Sequence, residues 1–134
     1  MQESFAVVRA IGRDRIGIVG DLSTVIERAG CNIEESKMAV LGGEFAVMIL
    51  VSGESSKIAA LSDTDFNSGV VSDLQIDIIP TQETLPLLRG VPYQIETVSL
   101  DSPGIVHALT ALLASEQINI EELETDSVPA PFTG

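Results

Sequence analysis

Residues 14–35 of this 134-residue chain align without a gap on residues 101–122, with nine positions identical. With Asp14 laid on Asp101, the pairs Gly17/Gly104, Ile18/Ile105, Val19/Val106, Leu22/Leu109, Asn32/Asn119, Ile33/Ile120, Glu34/Glu121 and Glu35/Glu122 all coincide. A match at one constant offset means two related supersecondary modules in tandem. Any fold assigned to the chain must therefore accommodate the same strand, loop and helix twice.

In the first copy, the apolar run Phe5 to Ile11 ends at Gly12 and predicts a buried strand. Past the loop Gly12-Arg13-Asp14-Arg15, the positions Ile18, Val19, Leu22, Val25 and Ile26 recur at helical spacing, and Gly30 supplies a stop. Two further strands, 32–41 and 44–51, flank Gly42-Gly43, a pair that suits a two-residue hairpin because both residues tolerate positive φ. A second helix is expected over Ser55 to Phe66. A last strand follows at 74–78, where Leu74, Ile76 and Ile78 alternate with Gln75 and Asp77, and Pro80 is expected to stop it.

This order is a split β-α-β unit: an α+β, ferredoxin-like βαββαβ domain over residues 1–80. Residues 81–91 read as a linker stiffened by Pro86. Over 92–134 the first three elements return as a strand (Tyr93 to Leu100), a helix (Ile105, Val106, Leu109, Leu112, Leu113) and a strand from Ile118 to about Val128. The second module is thus expected to be an incomplete βαβ unit with an unpaired strand edge and an uncovered apolar face, buried by a neighbouring chain or by the first module.

Composition narrows the function. Apolar residues make up 45% of the chain, enough for a core, and the longest apolar run, Phe45 to Val51, is far too short to span a bilayer. The N-terminus shows no signal-peptide pattern, and a lone Cys31, facing Ile118 in the repeat, excludes an internal disulfide; the chain reads as cytoplasmic, with Cys31 a small buried hydrophobe. Seven basic against twenty acidic side chains give a net charge of −13, which argues against direct nucleic-acid or membrane binding. Residues 90–134 hold acids such as Glu96, Glu116 and Glu124 with no Lys or Arg, so a docking partner there is expected to be basic.

No catalytic pattern emerges. The glycines at 12, 17 and 20 do not fit the dinucleotide fingerprint, no Gly-Lys-Ser/Thr follows them, and neither a nucleophile elbow nor zinc spacing is present. The chain is read as a non-enzyme without a cofactor or metal. His107 stands where the first copy has Gly20, which suits a surface position.

Each loop leaves a strand and opens a helix, where unpaired N–H groups and the positive end of the helix dipole attract a carboxylate. Asn32 and Asn119, at the start of the following strand, offer an acceptor and a donor to a zwitterion. The candidate ligand-binding residues are Asp14, Arg15, Ile16, Gly17 and Asn32 in copy one, and Asp101, Ser102, Pro103, Gly104 and Asn119 in copy two. A structural reading stands beside each: Asp14, Asp101 and Ser102 suit helix caps, Pro103 suits the first helical position, Gly17 and Gly104 suit close approach of helix to sheet, and asparagine is common after turns. The pairs Glu34-Glu35 and Glu121-Glu122 read as solvated strand ends.

The segments Gly12 to Val19, Cys31 to Ser36 and Met38 to Phe45, with Asp101-Ser102-Pro103-Gly104 and Asn119-Ile120, resemble tandem ACT-domain proteins of the glycine cleavage system repressor family. The loop motif is shared by many ACT domains, whereas Cys-Asn-Ile-Glu-Glu-Ser and Leu-Gly-Gly-Glu-Phe are narrower. Ile16 departs from the proline usual in this loop. The resemblance implies an amino acid, glycine the candidate, held at the loop and often across an interface between domains. It also implies a homo-oligomer and a protein partner, a transcription activator in that family, so that gene control would be indirect. The alternatives are a structural or interaction module, or the detached regulatory part of an amino-acid or one-carbon enzyme.

Overall fold

Large apolar residues on alternate positions, separated by one tight glycine turn, dictate the sheet. In the computed structural model, which describes residues 2–82, 91–100 and 103–127, the chain divides into two units, 1–88 and 89–134. The first contains β1 (Glu3–Arg13), α1 (Ile18–Arg28), β2 (Asn32–Leu41), β3 (Glu44–Glu54), α2 (Ser55–Ser62) and β4 (Gln75–Thr81). The strands form one antiparallel sheet in the order β2-β3-β1-β4, and the domain has the expected α+β ferredoxin-like fold.

Period-two patterning sends Ala6, Val8 and Ala10 of β1 and Phe45, Val47, Ile49 and Val51 of β3 to one face, all buried. Helix α1 turns Ile18, Leu22 and Ile26, spaced four apart, toward that face, each only 2% exposed, and α2 adds Ile58 and Leu61. Val71 and Leu74 complete the same core, so both helices cover one side of the sheet and leave the other open. Gly42 (φ 58°) and Gly43 (φ 79°) form the expected hairpin, both in the left-handed region that a type I′ turn needs.

Two boundaries differ from expectation. Strand β4 continues through Pro80 to Thr81, because β4 is an edge strand and a missing N–H costs it little there. Helix α2 stops at Ser62 rather than at Phe66, and Phe66 packs against the core from beyond the helix. Phe66 keeps the apolar spacing of the helix but anchors the loop that follows it.

In the second unit, α3 spans Ile105–Ser115, as the repeat requires. The strands expected at 93–100 and 118–128 are not formed among the described residues; Val128 lies outside them. The first unit supplies the physical reason. There β1 and β2 never touch, because β3 lies between them. The corresponding segments of the second copy are the two strands of the fold that do not pair with each other, so neither finds hydrogen-bond partners. Val98 and Leu100 are correspondingly exposed, at 91% and 86%, and no residue of α3 is buried.

Candidate functional site

The β1–α1 loop is pinned at both ends. Asp14 donates its backbone N–H to the Gly43 carbonyl at 3.0 Å, tying the loop to the β2–β3 hairpin. Gly17 then enters α1 with φ 87°, a left-handed conformation that costs any other residue strain. A Cβ at Gly17 would meet only Arg15 Nη1, at 3.9 Å, so positive φ rather than close helix approach explains this glycine. Gly12 is the one that permits close approach: a Cβ there would fall 2.7 Å from Leu74 Cδ2 and 3.0 Å from the Asp73 carbonyl oxygen.

Asp14 does not cap α1. The capping residue is Gly17, which has no side chain to accept from the first-turn amides. Ile16 beside them is 99% exposed, and the corner is open.

Arg15 holds this loop through all five of its N–H donors. Nε and Nη2 reach the two carboxylate oxygens of Asp73 at 2.7 and 3.2 Å, and Nη2 also reaches the Val70 carbonyl at 2.8 Å. Nη1 donates to Asp21 Oδ2 at 2.9 Å and to the Ile16 carbonyl at 3.2 Å. The hydrogen bonds to Asp73 and then Asp21 raise the guanidinium pKa, and Arg15 in turn holds the Asp73 carboxyl below its ordinary value. With its donor set filled, Arg15 shapes the corner and has no N–H left for a ligand.

Asn32 lies elsewhere. It pairs in register with Ser52, which pairs with Phe5, whereas the loop leaves β1 after Arg13, paired with Glu44. Eight residues of β1 separate those levels, about 26 Å at roughly 3.3 Å per residue. The expectation that Asn32 and the loop share one corner of a module is therefore corrected. Strands β1 and β2 run parallel, so the start of β2 lies beside the start of β1 and away from its end.

Asn32 and Glu34 form a small network at that far end, beside an irregularity in the β2–β3 pairing between Ile33 and Glu35. Glu34 accepts from the buried Ser52 hydroxyl and from Asn32 Nδ2, the latter at 3.1 Å. The Ser52 bond first, and the Asn32 bond second, hold the Glu34 carboxyl below its ordinary value. Glu34 is thus a bonded strand residue rather than a freely solvated end.

In the second unit Gly104 repeats the geometry of Gly17, with φ 87°, no side-chain cap, and no atom within 4 Å of an added Cβ. Pro103 sits before that capping glycine instead of at the first helical position. Asn119 is exposed, as is His107, and Asp101 and Ser102 lie outside the described residues. Among the described residues no cluster of His, Cys, Asp and Glu could hold a metal ion, and no helix is long and apolar enough to cross a membrane. Cys31 is buried, which pushes its thiol pKa up. The clamp on Arg15 was not visible in the sequence, since Asp73 and Val70 lie far along the chain and carry no spacing signal.

An open strand-to-helix corner on a β2-β3-β1-β4 sheet backed by two helices defines a small α+β module of ferredoxin-like fold. The chain belongs to the ACT domain family, whose model matches residues 4–75. It is 34% identical over 130 residues to the glycine cleavage system transcriptional repressor of Escherichia coli (strain K12), a match covering 96% of this chain and 67% of that protein. Among solved structures, an unknown protein from Galdieria sulphuraria is 35% identical with a TM-score of 0.74, covering 99% of this chain and 76% of that one. A putative glycine cleavage system transcriptional repressor is 25% identical with a TM-score of 0.63, covering 96% and 75%.

Proposed function

We propose that this chain is a non-catalytic regulator that binds a free amino acid at the β1–α1 corner and transmits occupancy to a protein partner. The observation that carries this reading is the corner itself: helix α1 begins at a left-handed glycine with no side-chain cap, beside a fully exposed Ile16. The amides of Ile18, Val19 and Gly20 are placed to receive a carboxylate, assisted by the helix dipole. Glycine is the leading candidate because the related repressor is named for the glycine cleavage system.

Because Asn32 lies about 26 Å along the sheet from the loop of its own module, a site using both is shared between two modules. Binding then favours one packing of modules over another, and the signal equals the difference in affinity between the two arrangements. Such a site needs a second module, and self-association is one way to supply it. A net charge of −13 favours control of transcription through a protein with a basic surface over direct contact with DNA. A cytoplasmic location suits such a role.

Thermal-shift and calorimetric titration with each of the twenty amino acids tests the proposal. A ligand at 100 times its Kd stabilises the folded state by about 2.7 kcal/mol, a Tm shift on the order of 10 °C in a domain of this size. No heat and no shift with any amino acid would leave a pairing module, a reading favoured by the commitment of the Asn32 amide to Glu34.

A further inference from the structure

With Asp14 laid on Asp101, helix α3 falls on α1 residue for residue, residues 93–100 fall on 6–13 of β1, and residues 119–127 fall on 32–40 of β2. In the first unit β3 stands between β1 and β2, paired with both. No strand takes that place in the second unit among the described residues. The helix registers the gap. Ile105, Leu109 and Leu113 stand where Ile18, Leu22 and Ile26 are buried, yet none of the three is buried. In the first unit the same stripe shares its core with Phe45, Val47, Ile49 and Val51, every second residue of β3.

Charge changes sign around the same gap. In the first unit Met48 of β3 is flanked by Arg9 on one side and Lys37 on the other. The residues at those two places in the second unit are Glu96 and Glu124, both exposed. One row along, Ala46 is flanked by Ile11 and Ala39, and their counterparts are Val98 and the exposed Asp126. A strand entering here therefore meets an apolar helix stripe on one face and carboxylates beside the other.

We propose that the second unit is an acceptor for one extended segment of a partner protein, in which Lys or Arg alternates with Val, Ile or Leu. The segment runs antiparallel between residues 93–100 and 119–127, where β3 stands in the first unit, and pairs its main chain on both sides. Its apolar residues close the stripe of Ile105, Leu109 and Leu113, and its basic residues emerge on the opposite face. A Lys or Arg at the place of Met48 lies between Glu96 and Glu124, and one at the place of Ala46 lies beside Asp126. A second copy of this chain suits the gap poorly, because its net charge of −13 brings like charge to these acids and its own β3 is already paired on both edges. Strand capture shares with the proposed function only the existence of a protein partner. It uses nothing from the β1–α1 corner of the first unit, so failure of amino-acid binding leaves it standing.

Fluorescence anisotropy of the full chain with the labelled peptide Thr-Val-Lys-Val-Lys-Val-Lys-Val-Thr tests it, beside a peptide of the same composition whose lysines stand in one block. The alternating peptide is expected to bind saturably and at least about tenfold more tightly than the blocked one, and to protect amides of both 93–100 and 119–127 from hydrogen exchange. Glu124→Lys is expected to weaken it about tenfold. Glu116→Lys, the same change of charge at the C-terminal end of α3, is expected to weaken it less than about twofold. Both glutamates are exposed, so circular dichroism is expected to show both variants folded. Equal affinity for the two peptides, equal effects of the two substitutions, or no saturable binding at millimolar peptide overturns the proposal. Protection of the same amides without peptide also overturns it, whether it rises with concentration, as a second copy would make it, or is constant, as another part of the chain would.

Discussion

Arg15 and Asp73, 58 positions apart, are joined by two side-by-side hydrogen bonds of 2.7 and 3.2 Å that bind the β1–α1 loop to the segment leading into β4. A fork matched to a carboxylate is something only arginine provides. Lysine, with three donors on a point charge, cannot reach Asp73, Asp21, Val70 and Ile16 together. Arg15→Lys is therefore expected to raise amide hydrogen-exchange rates in residues 14–17 and 70–73 by roughly tenfold, with those of β3 unchanged. Equal rates in the variant and wild type would show the clamp to be dispensable.

The same clamp sets a pH dependence. Asp73 has its folded-state pKa lowered by Arg15, so its contribution to stability is present above the ordinary carboxylate value of 3.8 and is lost as pH falls through the lower folded value. Urea midpoints measured between pH 5 and pH 2 are expected to decline on the acid side, and Asp73→Asn to flatten that decline.

Glu34 provides an independent titration. Its carboxyl is held down first by the Ser52 hydroxyl, so Ser52→Ala is expected to move its pKa back up toward 4.5, read directly by carboxyl-carbon NMR. An unmoved value would show that Asn32 alone sustains the shift.

Two glycines three residues apart are expected to respond in opposite directions. Gly17→Ala forces a Cβ into φ 87° and is expected to cost about 1–2 kcal/mol. Gly20 lies inside α1 with no atom within 4 Å of an added Cβ, so Gly20→Ala is expected to stabilise by about 0.4–1 kcal/mol. Denaturant unfolding of both variants checks the sign of each.

Phe45 is 1% exposed at the centre of the core, and Phe45→Ala is expected to cost about 3–5 kcal/mol, enough to unfold a marginal domain. Met48→Ala, on the open face, is expected to change stability by less than about 1 kcal/mol. Equal losses would place the core on the wrong side of the sheet.

Local periodicity made most of the first unit legible. Ile18, Leu22 and Ile26 announce α1, alternation announces β3, and Gly42-Gly43 announces the turn, because each signal is carried by neighbours in sequence. Pro80 misled, since edge position is a property of the whole sheet and not of the residue. Tyr93 to Leu100 has the composition of a strand, yet a strand exists only with a partner, and β3 is what separates the equivalent pair in the first unit.

The candidate site was half legible. Gly17 and Gly104 carry the same loop geometry that the repeat implied. The placement of Asn32 was implicit in the order strand, helix, strand, since a parallel crossover brings like ends together. Arg15 is a candidate in the sequence only through its place in the loop. Its commitment to Asp73, Asp21 and two carbonyls depends on tertiary contacts that no spacing reveals.

The central claim, an amino acid carboxylate seated on the first turn of α1, is tested most directly by titrating glycine and then the other amino acids into ¹⁵N-labelled protein. Saturable amide shifts concentrated at Gly17, Ile18, Val19 and Gly20, abolished in Gly17→Ala, are the predicted result. Unmoved resonances at these four positions with every amino acid at millimolar concentration would contradict it.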